Sequence, residues 1–216
     1  MKGLTRALCA LALTALQACA GNQPLTLDMS SREMTFDKSG AYDLVVLSDA
    51  AMTTVVGAPS LPMVAVNVVV PQNMRVTGVT CTPAATEDVE GSFLILPAQP
   101  PRPIGAEGKP KFVPPDPAIY NSDAPYPAEL GKPSGQNSMF GYNVASLLIY
   151  PLQYSPKNKT LRFHRKITLN LVMEAAELGY LPVGNRSEGT RAEIEKEIRS
   201  VVVNPDDVTR FAPKSE

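Results

Sequence analysis

The chain has 216 residues, with 20 Lys and Arg against 21 Asp and Glu, a formal net charge of −1. No basic patch points to nucleic acid. After the first twenty residues no run is long and apolar enough to cross a bilayer.

Residues 1–20 read as a signal peptide. Lys2 and Arg6 form a basic start, Leu8 to Leu16 an apolar run, and Ala18-Cys19-Ala20 a small-residue cleavage site. A second reading makes Leu16-Gln17-Ala18-Cys19 a lipobox, with Cys19 lipidated and retained, although Gln17 fits that pattern poorly. Both readings place the protein outside the cytoplasm: secreted, periplasmic or at the cell envelope, and as a lipoprotein in the second case. Removing Lys2 and Arg6 from the 20 basic residues leaves 18 against 21 acidic ones. Cleavage after Ala20 leaves Cys81 without an internal partner, so the fold must rest on its apolar core.

The exported part reads mostly as strand. Ala41 to Ser48 and Met63 to Val70 are β-branched and apolar, and Pro71 closes the second. Met74 to Thr80 alternates, and Ser92 to Leu96 runs into a proline-rich block. Eleven of the 21 prolines lie between Pro97 and Pro133. Proline fixes φ and lacks a backbone donor, so the block should be neither helix nor central strand. It nevertheless carries Ile104, Phe112, Ile119, Tyr120 and Tyr126, which implies an ordered excursion laid across a β-rich body. The aromatics of and after the block are expected to pin it to that body.

Beyond the block, Tyr142 to Tyr150 is an apolar strand and Leu161 to Leu171 alternates. Leu161, Phe163, Ile167, Leu169 and Leu171 are expected inside, with the even positions, His164 among them, facing solvent. Pro156 to Lys159 suits the turn between these strands. Short strands divided by turn signals, with no amphipathic helix between them, predict an all-β fold, an antiparallel β-sandwich of jelly-roll type. Residues 21–175 form this domain, and 176–216 a connector with a flexible tail. In the connector, Thr190-Arg-Ala-Glu193 has capping-box spacing. Ile194, Ile198 and Val201 share one face of a short helix over about Ala192 to Val202, ended by Asn204-Pro205.

At this level the chain resembles the propeptide of gingipain-type cysteine peptidases. The run starts at Gly57-Ala-Pro-Ser-Leu-Pro62, ahead of a strand ending in Val70-Pro71. It passes through Leu96 to Pro101, Phe112-Val-Pro-Pro-Asp-Pro117, Tyr120-Asn-Ser-Asp123 and Tyr126-Pro127. It ends with Gly141-Tyr-Asn-Val144, Tyr150-Pro-Leu-Gln-Tyr154 and the alternating strand to Met173. The resemblance covers roughly residues 40–175. It implies a β-sandwich that keeps a caspase-like peptidase domain latent during export and assists its folding. It also implies a basic residue in the pocket meant for a substrate Arg or Lys. The expected partner is therefore a gingipain-type peptidase domain, in cis or in trans. The sequence stops at Glu216, where that domain should begin. The chain is then a stand-alone propeptide, a truncated product or the leading piece of a split zymogen.

The residues expected to block a cleft are Arg102, Lys109, Lys111 and Lys132. Arg102 comes first, because Pro101 and Pro103 hold it extended. Cys81 and His164 lie in no nucleophile motif, so the chain is expected to be non-catalytic, with any peptidase activity belonging to a missing domain. One His and one Cys cannot build a usual zinc site, and Glu87, Asp88, Asp116 and Asp123 are too scattered for calcium, so no metal or cofactor is expected. The alternative function is an envelope adhesion or assembly module with no peptidase partner.

Overall fold

A computed structural model describes residues 24–101, 105, 111–179, 184 and 186–213. The fold is mostly β and antiparallel, with one C-terminal helix. One sheet has the order β1 (Leu25–Asp28), β10 (Thr160–Ala175), β6 (Met74–Val89), with β9 (Leu152–Ser155) also paired to β10. The other has the order β4 (Ala51–Met52), β5 (Pro62–Val70), β8 (Tyr142–Ile149), β7 (Gly131–Met139). A separate hairpin pairs β2 (Met34–Ser39) with β3 (Tyr42–Leu47).

The two four-stranded sheets enclose the main core. Val64, Val66, Val68 and Val70 of β5 and Ala145, Leu147 and Ile149 of β8 meet Leu161, Phe163, Ile167, Leu169 and Leu171 of β10. These five β10 side chains are the ones the alternation predicts, because a strand sends every second side chain to one face. The opposite face of the β5–β8 sheet is also covered. Val69, Tyr142 and Val144 pack there against Ile198, Val202 and Val208. The helix α2 (Glu188–Val201) and the segment after it thus add a third layer.

Several expectations are corrected. His164 is 3% exposed, not on a solvent face. The β10–β6 register shifts only after His164, and the imidazole is buried because it lies between the Thr86 hydroxyl of β6 and the Gln153 side chain of β9. Ser92–Leu96 is no strand. Phe93 and Ile95 plug the core, and isolated bridges at Ile95 and Pro97 replace a ladder. The proline block contains one helical turn, α1 (Pro117–Tyr120), with Pro117 at its start and the Asp116 carboxylate accepting from Ala118 N. The block also runs into β7, where Pro133 lies beside a register shift on an edge strand, the place where a missing donor costs least. Helix α2 begins earlier than predicted. Its cap is Ser187, whose Oγ accepts from Thr190 N, not the Thr190 box. Within the stretch read as connector and tail, residues 188–213 include Ile198 and Val208, both fully buried.

Candidate functional site

The proline block is fastened to the sandwich by side chains reaching backbone carbonyls. Tyr120 donates its hydroxyl to Ile95 O at 2.6 Å, and Tyr154 donates to Phe93 O at 2.7 Å. Burial pushes the Tyr120 phenol well above its ordinary pKa, so it stays a donor. Backbone bonds run from Gly57 N to Ala98 O and from Asp116 N to Gly57 O. Gly57 has φ +83, a left-handed conformation suited to glycine, with Pro114 O 3.6 Å from where a Cβ would stand.

The part of the block that carries the basic residues springs from one clamp. Gln99 Nε2 donates to Pro97 O and to Val113 O, both at 2.9 Å, and Gln99 Oε1 accepts from Val113 N at 2.8 Å. One primary amide thereby joins the two roots of the loop, as a strand partner would. Beside the clamp, Phe112 is 48% exposed with its ring against Tyr42, centroids 5.7 Å apart. Val55 and Val56, exposed, adjoin Gly57.

Of the four basic residues singled out from sequence, Lys111 is exposed at the second root of this loop, next to Phe112. Arg102 and Lys109 lie outside the described residues, as does Cys19. Lys132 sits elsewhere, exposed on β7. With Glu129 it separates two open grooves, one of about 610 Å³ running along β6 past Cys81 and one of about 380 Å³ beside Tyr126 and Tyr150. Lys111 and Lys132 thus belong to different surfaces. Sequence reasoning missed Gln99, since nothing local distinguishes a clamping glutamine from a solvated one.

Cys81 and His164 are not brought together. Cys81 pairs with Leu169 and His164 with Thr86, five residues apart along the ladder, about 16 Å at strand spacing. Burial pushes the Cys81 thiol up to about 11, away from the thiolate a nucleophile needs. The imidazole is committed to structure. Gln153 donates its Nε2 to Pro127 O, which leaves its Oε1 to accept from His164 Nε2 at 3.0 Å. His164 Nδ1 then accepts from the Thr86 hydroxyl at 3.0 Å. The scattered carboxylates are likewise engaged: Asp123 with Lys157, Asp88 with Arg162, Glu87 with Arg165. No group of three or more potential metal ligands occurs among the described residues. No helix among them is long and apolar enough to cross a membrane.

The Propeptide_C25 family model matches residues 29–180. No curated protein matches the chain. Among solved structures, the fold is similar to one described as the complex of Porphyromonas gingivalis RgpB pro- and mature domains. That match has a TM-score of 0.62 and 18% identity, covering 87% of this chain and 95% of that one. A second similar structure comes from work on the zymogenic latency of gingipain K from the same organism. Its TM-score is 0.54 at 23% identity, over 68% of this chain and 85% of that one.

Proposed function

On the premise that the chain belongs to the Propeptide_C25 family, we propose that it keeps a gingipain-type cysteine endopeptidase latent and assists its folding by covering the substrate cleft. A propeptide domain of this family is non-catalytic, so the effect rests on surface burial and a blocked cleft. The observation that carries this reading is the Gln99 clamp, which fixes both roots of a proline-rich loop bearing Arg102, Lys109 and Lys111. A loop held at its base loses less entropy on docking. A guanidinium or ammonium from it would form charge-assisted hydrogen bonds in an acidic pocket. Exposed Phe112 beside Lys111 supplies apolar contact area at the same place.

The basic start, apolar run and Ala18-Cys19-Ala20 site support export, with cleavage before Gly21 or a lipid on Cys19. The test is a variant with Arg102, Lys109, Lys111 and Lys132 all changed to Ala. Inhibition of the peptidase should weaken at least about tenfold, the scale of one lost charge-assisted contact. Inhibition equal to that of the unaltered chain would end the pocket-blocking part of the proposal.

A further inference from the structure

Strand β6 is the edge of its sheet. β10 pairs with it on one side, and no strand among the described residues pairs with it on the other. Residues along an antiparallel strand turn their N–H and C=O alternately to the two sides, so every second residue of β6 addresses the open one. The register says which. Val76 N and Met74 O bond the Gln136 side chain, away from β10, at 2.8 and 2.7 Å. Val76 lies opposite Met173 and Gly78 opposite Val172, so Thr77 is an extra residue that moves the outward set from even to odd positions. Val79 and Cys81, like Val76, pack their side chains against the core, as that shift requires. Pro83 is the next outward residue, where its missing donor costs the β10 ladder nothing.

On the open side Val79 and Cys81 thus each present an N–H and a C=O that find no partner among the described residues. Both residues line the groove of about 610 Å³, whose opposite bank runs from Ala128 to Pro133. That bank is a strand edge too. Leu130 O accepts from Tyr150 N, so Gly131 and Pro133 turn their backbone groups away from β8, and Pro133 has no ladder bond to lose there. Exposed edges are ordinarily guarded by charged side chains, yet β6 carries none from Val76 to Thr86. Glu129 and Lys132 on the facing bank are of opposite sign and offset one another.

We propose that this groove binds an extended, uncharged segment of a partner polypeptide, which adds a strand to β6 through Val79 and Cys81. The chemistry of the occupant is displayed one rung along the same edge, where the Gln136 amide bonds Val76 and Met74 as a peptide unit would. Because both banks are strand edges, the occupant that fits is a single strand with both of its own edges free. A second copy of this chain does not offer one, since the inner edge of its β6 is taken by β10. Every second side chain of the segment would face Val79, Cys81 and Gly131, where small apolar residues fit, and the others would lie beside exposed Thr80 and Thr82. The site makes no use of the basic loop, so it stands apart from the latency reading.

The experiment is amide hydrogen exchange by NMR on the chain alone and with a synthetic peptide of alternating Thr and Val or Ala, carrying Lys at each end for solubility. In the free chain the Val79 and Cys81 amides should exchange at least about tenfold faster than those of Thr80 and Thr82, which face β10. The peptide should bind saturably below about 1 mM and slow Val79 and Cys81 at least about tenfold. The same peptide N-methylated throughout donates no hydrogen bond and should not bind. Thr80→Lys with Thr82→Lys, at exposed positions, should weaken the peptide at least about threefold without moving the unfolding midpoint. Val79 and Cys81 already protected like Thr80 in the dilute free chain would show a closed edge and overturn the proposal. No saturation up to about 1 mM, or equal binding of the N-methylated peptide, overturns strand addition. Protection of the two amides that rises with the concentration of the chain alone would seat a second copy there and overturn the assigned occupant.

Discussion

Asn204 closes its side-chain amide on the backbone of Val69, 135 residues away. Oδ1 accepts from Val69 N at 2.9 Å, and Nδ2 donates to Val69 O at 2.8 Å. Beside this pair, Val203 N donates to Asn67 O, and Val202 bridges Asn67 in parallel. The segment after α2 therefore occupies the edge of β5 that β8 leaves open, and an unpaired edge is a liability for aggregation. Gln136 does the same between the sheets, accepting from Val76 N and donating to Met74 O, and Gln99 does it at the root of the proline loop. In each case a primary amide, carrying one acceptor and two donors, stands in for a peptide unit.

Asn204→Ala should lower the unfolding free energy by about 2–4 kcal/mol, because it leaves two buried backbone groups of Val69 without partners. Asn204→Asp should cost more at neutral pH. It keeps the acceptor for Val69 N but turns an anion towards Val69 O and towards Asp207, whose Oδ2 now accepts from Asn204 Nδ2 at 3.0 Å. Urea denaturation at pH 7 and again near pH 4 checks both, and the Asp variant should recover partly as its carboxyl protonates.

Gly131 and Cys81 touch where β7 meets β6. A Cβ at Gly131 would stand 2.6 Å from Cys81 Sγ and 2.9 Å from Ile149 Cδ1. Gly131→Ala should therefore destabilise by about 1–3 kcal/mol through overpacking. Cys81→Ala in the same chain should restore about half of that, the remainder being the Ile149 and Leu148 contacts. A double-mutant cycle by thermal or urea unfolding measures the coupling, and additive effects would show that the sulfur is not the obstacle.

His164 gives the domain a pH dependence of definite sign. Burial, with Arg162 adding to it, lowers the imidazole pKa below its ordinary value near 6.5. The unfolded chain then binds the proton more readily than the folded one, so stability is full above about 6.5 and is lost as pH falls towards the folded value. His164→Gln should flatten the urea midpoint between pH 7.5 and pH 5. The carboxylates of Asp28, Asp43 and Glu87, all with lowered pKa, act only in the more acidic range below.

The β10 alternation was readable because one face meets the core and the other water, and every second residue from Phe163 to Leu171 reports it except at the bulge. His164 is buried by Thr86 and Gln153, which reach it from the two strands beside β10, so nothing around it in the sequence announces its burial. Strand β2 is exposed at five of its six positions, and β7 reads Gly-Lys-Pro-Ser-Gly-Gln-Asn-Ser-Met. Neither carries an apolar period, and each exists because a neighbour, β3 or β8, offers it a ladder. Ser92–Leu96 shows the converse: apolar residues demanded by the core, without strand pairing. The proline block announced itself by composition, but the Gln99, Gln136 and Asn204 amides act across 14, 60 and 135 residues, a range no local pattern encodes.

Gln99→Ala should leave the sandwich folded while freeing the loop roots, since it removes three hydrogen bonds at a half-exposed site. Limited proteolysis should cut between Pro97 and Val113 several-fold faster, and peptidase inhibition should weaken by about tenfold as the loop regains the entropy the clamp withheld. Unchanged proteolysis and inhibition would show that the prolines alone hold the loop.

The most direct test of the account is inhibition itself. The purified chain, from Gly21 onward and shown folded by circular dichroism, would be titrated against the mature gingipain-type peptidase of its own organism with Arg- and Lys-reporter substrates. The account predicts saturable inhibition at sub-micromolar concentration, a binding free energy beyond about −8 kcal/mol. A folded chain that leaves both reporter activities untouched would contradict it and favour an envelope module without a peptidase partner.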